Sequence, residues 1–152
     1  DFTSFQPANL YGIGDNFDLK SSHVIPALIR KFHNAKINSK NTVEVWGTGK
    51  VKREFLNVDD LASAISFSLN KKFTKTHINV GSRDYLSIKD LAKLIKKVTN
   101  YNGKIVFNKN YPDGVKRRKL DTSILDSLGW KSKIKIEDGL KKYYQYFVKN
   151  FN

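Results

Sequence analysis

Residues 46–61 read WGTGKVKREFLNVDDL, and this stretch decides the fold class because it joins strand chemistry to helix chemistry within sixteen residues. Trp46 closes a short strand at 42–46, and Gly47-Thr48-Gly49 is a strand-ending turn. VKREF then reads as a second strand. Asp59 or Asp60 suits an N-cap for a helix over 59–71, with Leu61, Ala64, Ile65 and Leu69 on one face. Strand, turn, strand and helix in succession predict an α/β chain.

The same alternation extends outward. Residues 2–10 read as a buried strand ending at Tyr11-Gly12, followed by the polar, turn-rich GIGDNFDLKSS, a loop of the kind that lines sites. Residues 22–36 read as a helix, with Pro26 in its first turn, His23 at its entrance, and Val24, Leu28, Phe32 and Ala35 at helical spacing. Residues 77–80 form a strand closed by Gly81. Ser87 and Asp90 form a capping box for a helix carrying Ile88, Leu91, Ile95 and Val98. A strand over 104–107 follows, then a helix over 122–128 stopped by Gly129. A last helix from Glu137 buries Leu140, Tyr143, Tyr144 and Phe147.

Composition narrows the function classes. A chain of 152 residues fits one domain with a real core. No long apolar run and no basic-then-apolar leader are seen, so a soluble, cytoplasmic protein without membrane partners is expected. The start at Asp1 and the absence of Met suggest a processed or partial product. With no Cys and three His, disulfides and thiolate chemistry are excluded, and little remains for a metal site. The formal charge of +14 invites a nucleic-acid reading, but most of the 28 basic residues are scattered Lys at helix surfaces and ends. No nucleic-acid partner is expected. Part of the positive field would serve a substrate carrying a diphosphate.

Four motifs in order, PANLYG at 7–12, SHVIP at 22–26, WGTGKVKREFL at 46–56 and PDG at 112–114, resemble the GDP-L-fucose synthase family of the extended short-chain dehydrogenase/reductase superfamily. The resemblance covers that family's C-terminal half. It implies an α/β, substrate-binding domain over residues 1–152, in which 1–12 end a strand of the Rossmann sheet. The N-terminal nucleotide-binding half, with its Gly-rich turn and Tyr-x-x-x-Lys pair, has no counterpart here. It further implies NADPH as cofactor, a GDP-sugar substrate, and a homodimer.

Site residues follow from the same resemblance. His23 becomes the acid of the epimerisation and also touches the nicotinamide side, in keeping with an imidazole's ability to give and take protons. Its acid/base partner in the family, a Cys, belongs to the missing half. Pro7, Ala8, Asn9 and Leu10 become cofactor contacts, through backbone and the Asn amide. Lys31, Trp46, Arg53, Asp113 and Arg118 become substrate contacts, and Val24 and Leu28 line the guanine. Taken without the resemblance, Arg53 reads as half of a surface ion pair with a neighbour such as Glu54, and Trp46 as core packing. A guanidinium can grip a diphosphate at two points, which a Lys cannot. The chain departs from the family at Ala8 for Thr, Ile13 for Pro, Lys31 for Arg and Asn57 for His, which bears on fine specificity.

Two decoys are set aside. Tyr85 and Lys89 have Tyr-x-x-x-Lys spacing, but the cap at Ser87 falls between them, so they share no helical face. Gly12-Ile13-Gly14 and Gly47-Thr48-Gly49 lack the third glycine of a dinucleotide fingerprint. Two rival readings stand beside the resemblance: another nucleotide-sugar 4-epimerase or 4,6-dehydratase, and a non-catalytic basic domain binding sugar nucleotides or RNA.

Overall fold

The computed structural model of the chain describes residues 2–114 and 117–151. In chain order the elements are β1 (Ser4–Pro7), β2 (Asn9–Tyr11), α1 (Val24–Ile37), β3 (Thr42–Trp46), β4 (Lys52–Asn57), α2 (Val58–Ser68) and β5 (His77–Val80). They continue with β6 (Tyr85–Ser87), α3 (Ile88–Val98), β7 (Lys104–Asn108), β8 (Arg117–Arg118), α4 (Ser123–Ser127) and α5 (Ile136–Phe151). The class is α/β, as expected. No helix among the described residues is long and apolar enough to cross a membrane.

β4 organises the molecule. Its C-terminal residues pair parallel with β2, while Lys52–Glu54 pair antiparallel with β6 and Lys52 and Arg53 pair parallel with β8. Because side chains alternate along a strand, Phe55 enters the larger core built around α1, α3 and α5, and Leu56 enters a smaller one with Ala64, Ile78, Val80, Leu125 and Trp130. Two further parallel pairs, β1 with β5 and β3 with β7, lie outside that sheet.

The expected strand over 2–10 is broken at Ala8, whose amide donates to the Val80 carbonyl (2.9 Å) as the chain passes from β5 to β4 as its partner. Nor is it buried: Phe2 is 98% exposed, and in β1 only Phe5 is part-buried, set edge-on against Phe73 at 6.0 Å. A strand bonded along one edge and packed on one face exposes its alternate residues.

Local capping signals are realised where the bond lies within one turn. Ser87 accepts from the Asp90 amide at 3.0 Å and its hydroxyl donates to the Asp90 carboxylate at 2.6 Å, starting α3 where expected. α2 differs. Its cap is Asn57, whose side chain accepts from the Asp59 amide at 2.9 Å, and not Asp59 or Asp60. Asp60 is buried instead and accepts from the amides of Lys133 (3.0 Å) and Ile134 (3.1 Å). Of the expected apolar face, Ala64 is buried and Leu61 packs against the smaller core, whereas Ile65 is exposed and Leu69, the C-cap residue beyond α2, is 77% exposed.

Candidate functional site

The bend between β1 and β2 opens a cavity of about 480 Å³ lined by residues 7–11, 13–15 and 23–25 with Phe55 and Val58. Pro7, Ala8, Asn9, Leu10 and His23, the residues expected at the cofactor, all line it. The Asn9 amide nitrogen donates to the Glu54 carbonyl at 2.8 Å, bracing β2 against β4. Gly12 is required at the strand exit: its φ is +149°, and a Cβ there would run into Val58. Among the described residues, no Lys or Arg lines this cavity. Its walls suit an uncharged ring and not a phosphate. The buried Tyr11 hydroxyl is pushed up to about 12, first by burial and against a hydrogen bond from Asn57, so it stays protonated.

His23 occupies the N-cap position of α1 with extended backbone, and its side chain makes no capping bond. Its carbonyl accepts from the Ala27 amide at 3.0 Å. The backbone therefore starts the helix and leaves the exposed imidazole to the cavity.

A second cavity of about 300 Å³ is lined by Leu19, Lys20, Ser22, Val24, Ala27, Leu28, Lys31, Val45, Trp46 and Ile88. Val24 lines both cavities, and His23, its neighbour in the chain, lines the first. Val24 and Leu28, expected at a nucleobase, form part of its apolar wall. Lys31 lies 4.7 Å from the Trp46 ring and donates to the Glu44 carbonyl at 3.3 Å. Desolvation lowers its pKa, partly offset by the charge of Glu44.

Beyond Trp46, at the C-terminal end of β3, Gly47 adopts a φ of +81°, and a Cβ there would strike the Asp113 carboxylate. Asp113 accepts from the Thr48 amide at 2.8 Å and from the Thr48 hydroxyl at 2.5 Å. These bonds, the hydroxyl first, hold its pKa below the usual carboxylate range, with help from the charges of Lys50 and Arg53. Asp113 thus ties its loop to the Gly47-Thr48 turn. Arg53, on β4, donates to the Lys52 carbonyl at 2.8 Å and lies beside Gly114. Of the residues expected at the substrate, Lys31 and Trp46 touch and line the second cavity, while Asp113 and Arg53 act on one another by charge and do not line it. The Arg118 side chain lies outside the described residues.

Glu54 does not form the surface pair considered for Arg53. It alternates to the other side of β4, is buried, and accepts from the amides of Ser82 (2.9 Å), Arg83 (3.2 Å) and Leu120 (3.1 Å). Tyr111 was not singled out from the sequence, yet it stacks on Trp46 with ring centroids 4.3 Å apart and planes 11° from parallel. Its only sequence signal was an aromatic just before PDG.

Comparison with known proteins places this geometry. The chain is 47% identical to GDP-L-fucose synthase 1 of Arabidopsis thaliana over 150 residues, 99% of this chain and 46% of that protein. It is 43% identical to GDP-L-fucose synthase of Escherichia coli strain K12 over 159 residues, 99% of this chain and 50% of that protein. The solved structure of a GDP-L-fucose synthetase from Naegleria fowleri bound to NADP superposes with a TM-score of 0.91 at 30% identity, over 99% of this chain and 47% of that one. The chain spans about half the length of the relatives it matches. Residues 1–81, which carry the first cavity, His23, Trp46 and Arg53, match the NAD dependent epimerase/dehydratase family, and with more than half of its length matched the chain belongs to that family.

Proposed function

We propose that this chain provides the substrate-binding half of an NADPH-dependent epimerase/reductase converting GDP-4-keto-6-deoxy-D-mannose to GDP-L-fucose, acting as a homodimer when complete. One observation carries the reading: two cavities share Val24 as a lining residue, the first holding His23 and, among the described residues, no Lys or Arg, the second holding Lys20 and Lys31. That asymmetry suits an uncharged redox ring on one side and a diphosphate-linked sugar on the other. The names of the relatives supply the sugar.

The first cavity fits the nicotinamide end of the cofactor through Pro7, Ala8, Asn9 and Leu10, while its lack of Lys and Arg leaves the cofactor phosphates to the other half of the enzyme. When bound, NADPH supplies the hydride that reduces the 4-ketone. The chain's own residues do the rest of the work on this side. Val24 and Leu28 present apolar surface to the base. Lys31 and Arg53 offset the diphosphate charge, the latter through a planar fork. After a base from the other half of the enzyme takes a proton from a carbon flanking the ketone, His23 returns one to the opposite face, and the centre inverts.

Calorimetric titration of the purified chain tests the substrate class. GDP is expected to bind at least about tenfold more tightly than UDP, a difference of roughly 1.4 kcal/mol. Equal affinities would favour the 4-epimerase reading, and binding that collapses steeply with salt would favour an RNA-binding domain.

A further inference from the structure

Tyr111 lies just after β7, far in sequence from Trp46, and the chain between is folded to bring them together. Trp46 and Asn108, the last residues of β3 and β7, are partners in the parallel register. The Asn108 carbonyl accepts from the amides of Gly47 (2.8 Å) and Tyr111 (3.4 Å), and its side-chain oxygen accepts from the Asn110 amide (3.0 Å). Its amide nitrogen donates to the Glu44 carboxylate at 3.0 Å. This turn lays the Tyr111 ring on the Trp46 indole, and two residues later Asp113 locks onto Thr48.

Stack and latch therefore form one clasp between the ends of two parallel strands, the end at which α/β sheets bind ligands. Trp46 is 53% exposed and Tyr111 40% exposed, so neither ring is fixed by a core. The stack supplies what burial does not: one rotamer for the indole, and with it a fixed perch for the Lys31 ammonium at 4.7 Å. Trp46 and Lys31 line the second cavity and Tyr111 does not.

We propose that Tyr111 is a positioning residue for nucleotide-sugar binding, acting through Trp46 by holding the indole and its companion cation in the binding arrangement before the ligand arrives. The inference rests on reading the second cavity as the GDP-sugar site. A wall fixed in advance loses less conformational freedom on binding, so the stack contributes affinity without touching ligand.

The test is calorimetric titration of the purified chain with GDP, for wild type, Tyr111→Ala, Tyr111→Phe and Trp46→Ala, with urea unfolding run on each. Tyr111→Ala is expected to weaken GDP binding about threefold to tenfold, the scale of an aromatic pair, and Tyr111→Phe to stay within about twofold of wild type. The unfolding midpoint should hardly move, because the ring is exposed. If Trp46→Ala weakens binding and Tyr111→Ala does not, or if Tyr111→Phe fails to restore it, the positioning role is wrong. If Trp46→Ala also leaves GDP affinity unchanged, the reading of the cavity falls and this inference with it.

Discussion

Gly139 sits inside α5, where Ala would ordinarily stabilise a helix by about 1 kcal/mol. Here the sign should reverse. A Cβ at this position would collide with the Tyr11 hydroxyl, and would lie 3.0 Å from the Tyr11 ring carbon that bears it and 3.1 Å from the Asn57 amide nitrogen. Both neighbours are buried, so neither can swing into water. Forcing a methyl into a packed site costs about 1–3 kcal/mol, and losing the Tyr11–Asn57 hydrogen bond adds about 1 kcal/mol. Against the helix gain, Gly139→Ala is expected to destabilise the chain by about 1–3 kcal/mol, read as a lower urea midpoint at unchanged slope. The clash also disturbs the wall of the first cavity, which Tyr11 lines, and the α2 cap made by Asn57. A double-mutant cycle isolates the cause: in a Tyr11→Phe background the same substitution should cost less than about 1 kcal/mol, because the obstructing oxygen is gone. Stabilisation by Gly139→Ala in the wild-type background, or an equal cost in both, would refute the reasoning.

Two further outcomes are expected at the substrate side. Arg53→Ala should cost roughly 2 kcal/mol of GDP binding, the scale of a charge-assisted bond to a diphosphate, and Lys31→Ala less, both by calorimetry. Thr48→Ala should raise the Asp113 pKa toward the ordinary carboxylate value, followed by carbon-detected NMR titration, since the Thr48 hydroxyl is the first cause of its depression. Because the folded-state pKa is the lower one, the Asp113 latch contributes stability above the ordinary carboxylate pKa and loses it as pH falls through the depressed value.

What the sequence made legible was mostly local. The capping box at Ser87, the turn at Gly47 and the entrance of α1 at His23 are each decided within a few residues, and all stand where expected. Long-range ties were not legible. The Asp60 carboxylate serves amides 73 and 74 residues away, which buries a charge where the local pattern suggested a helix cap. β6 has three residues and exists because β4 offers it an edge, so no periodicity announced it. At the proposed site, His23, Trp46 and Arg53 could be picked out by their motifs, and Lys31 by its helix position, where the family the chain resembles carries Arg. Tyr111 could not, because its place depends on how Asn108 turns the chain at the end of β7.

The most direct test of the account is His23→Gln in an enzyme completed with the cofactor-binding half of a relative. Glutamine keeps the size and hydrogen-bonding reach of the side chain but cannot cycle a proton. His23 is exposed and makes no side-chain cap bond, so the variant should fold and bind GDP normally. Exchange of substrate protons with heavy water at the carbons flanking the ketone, followed by NMR, should then slow roughly 100-fold or more at one or both positions. Exchange at both carbons at the wild-type rate would contradict the account and leave His23 as no more than the start of a helix.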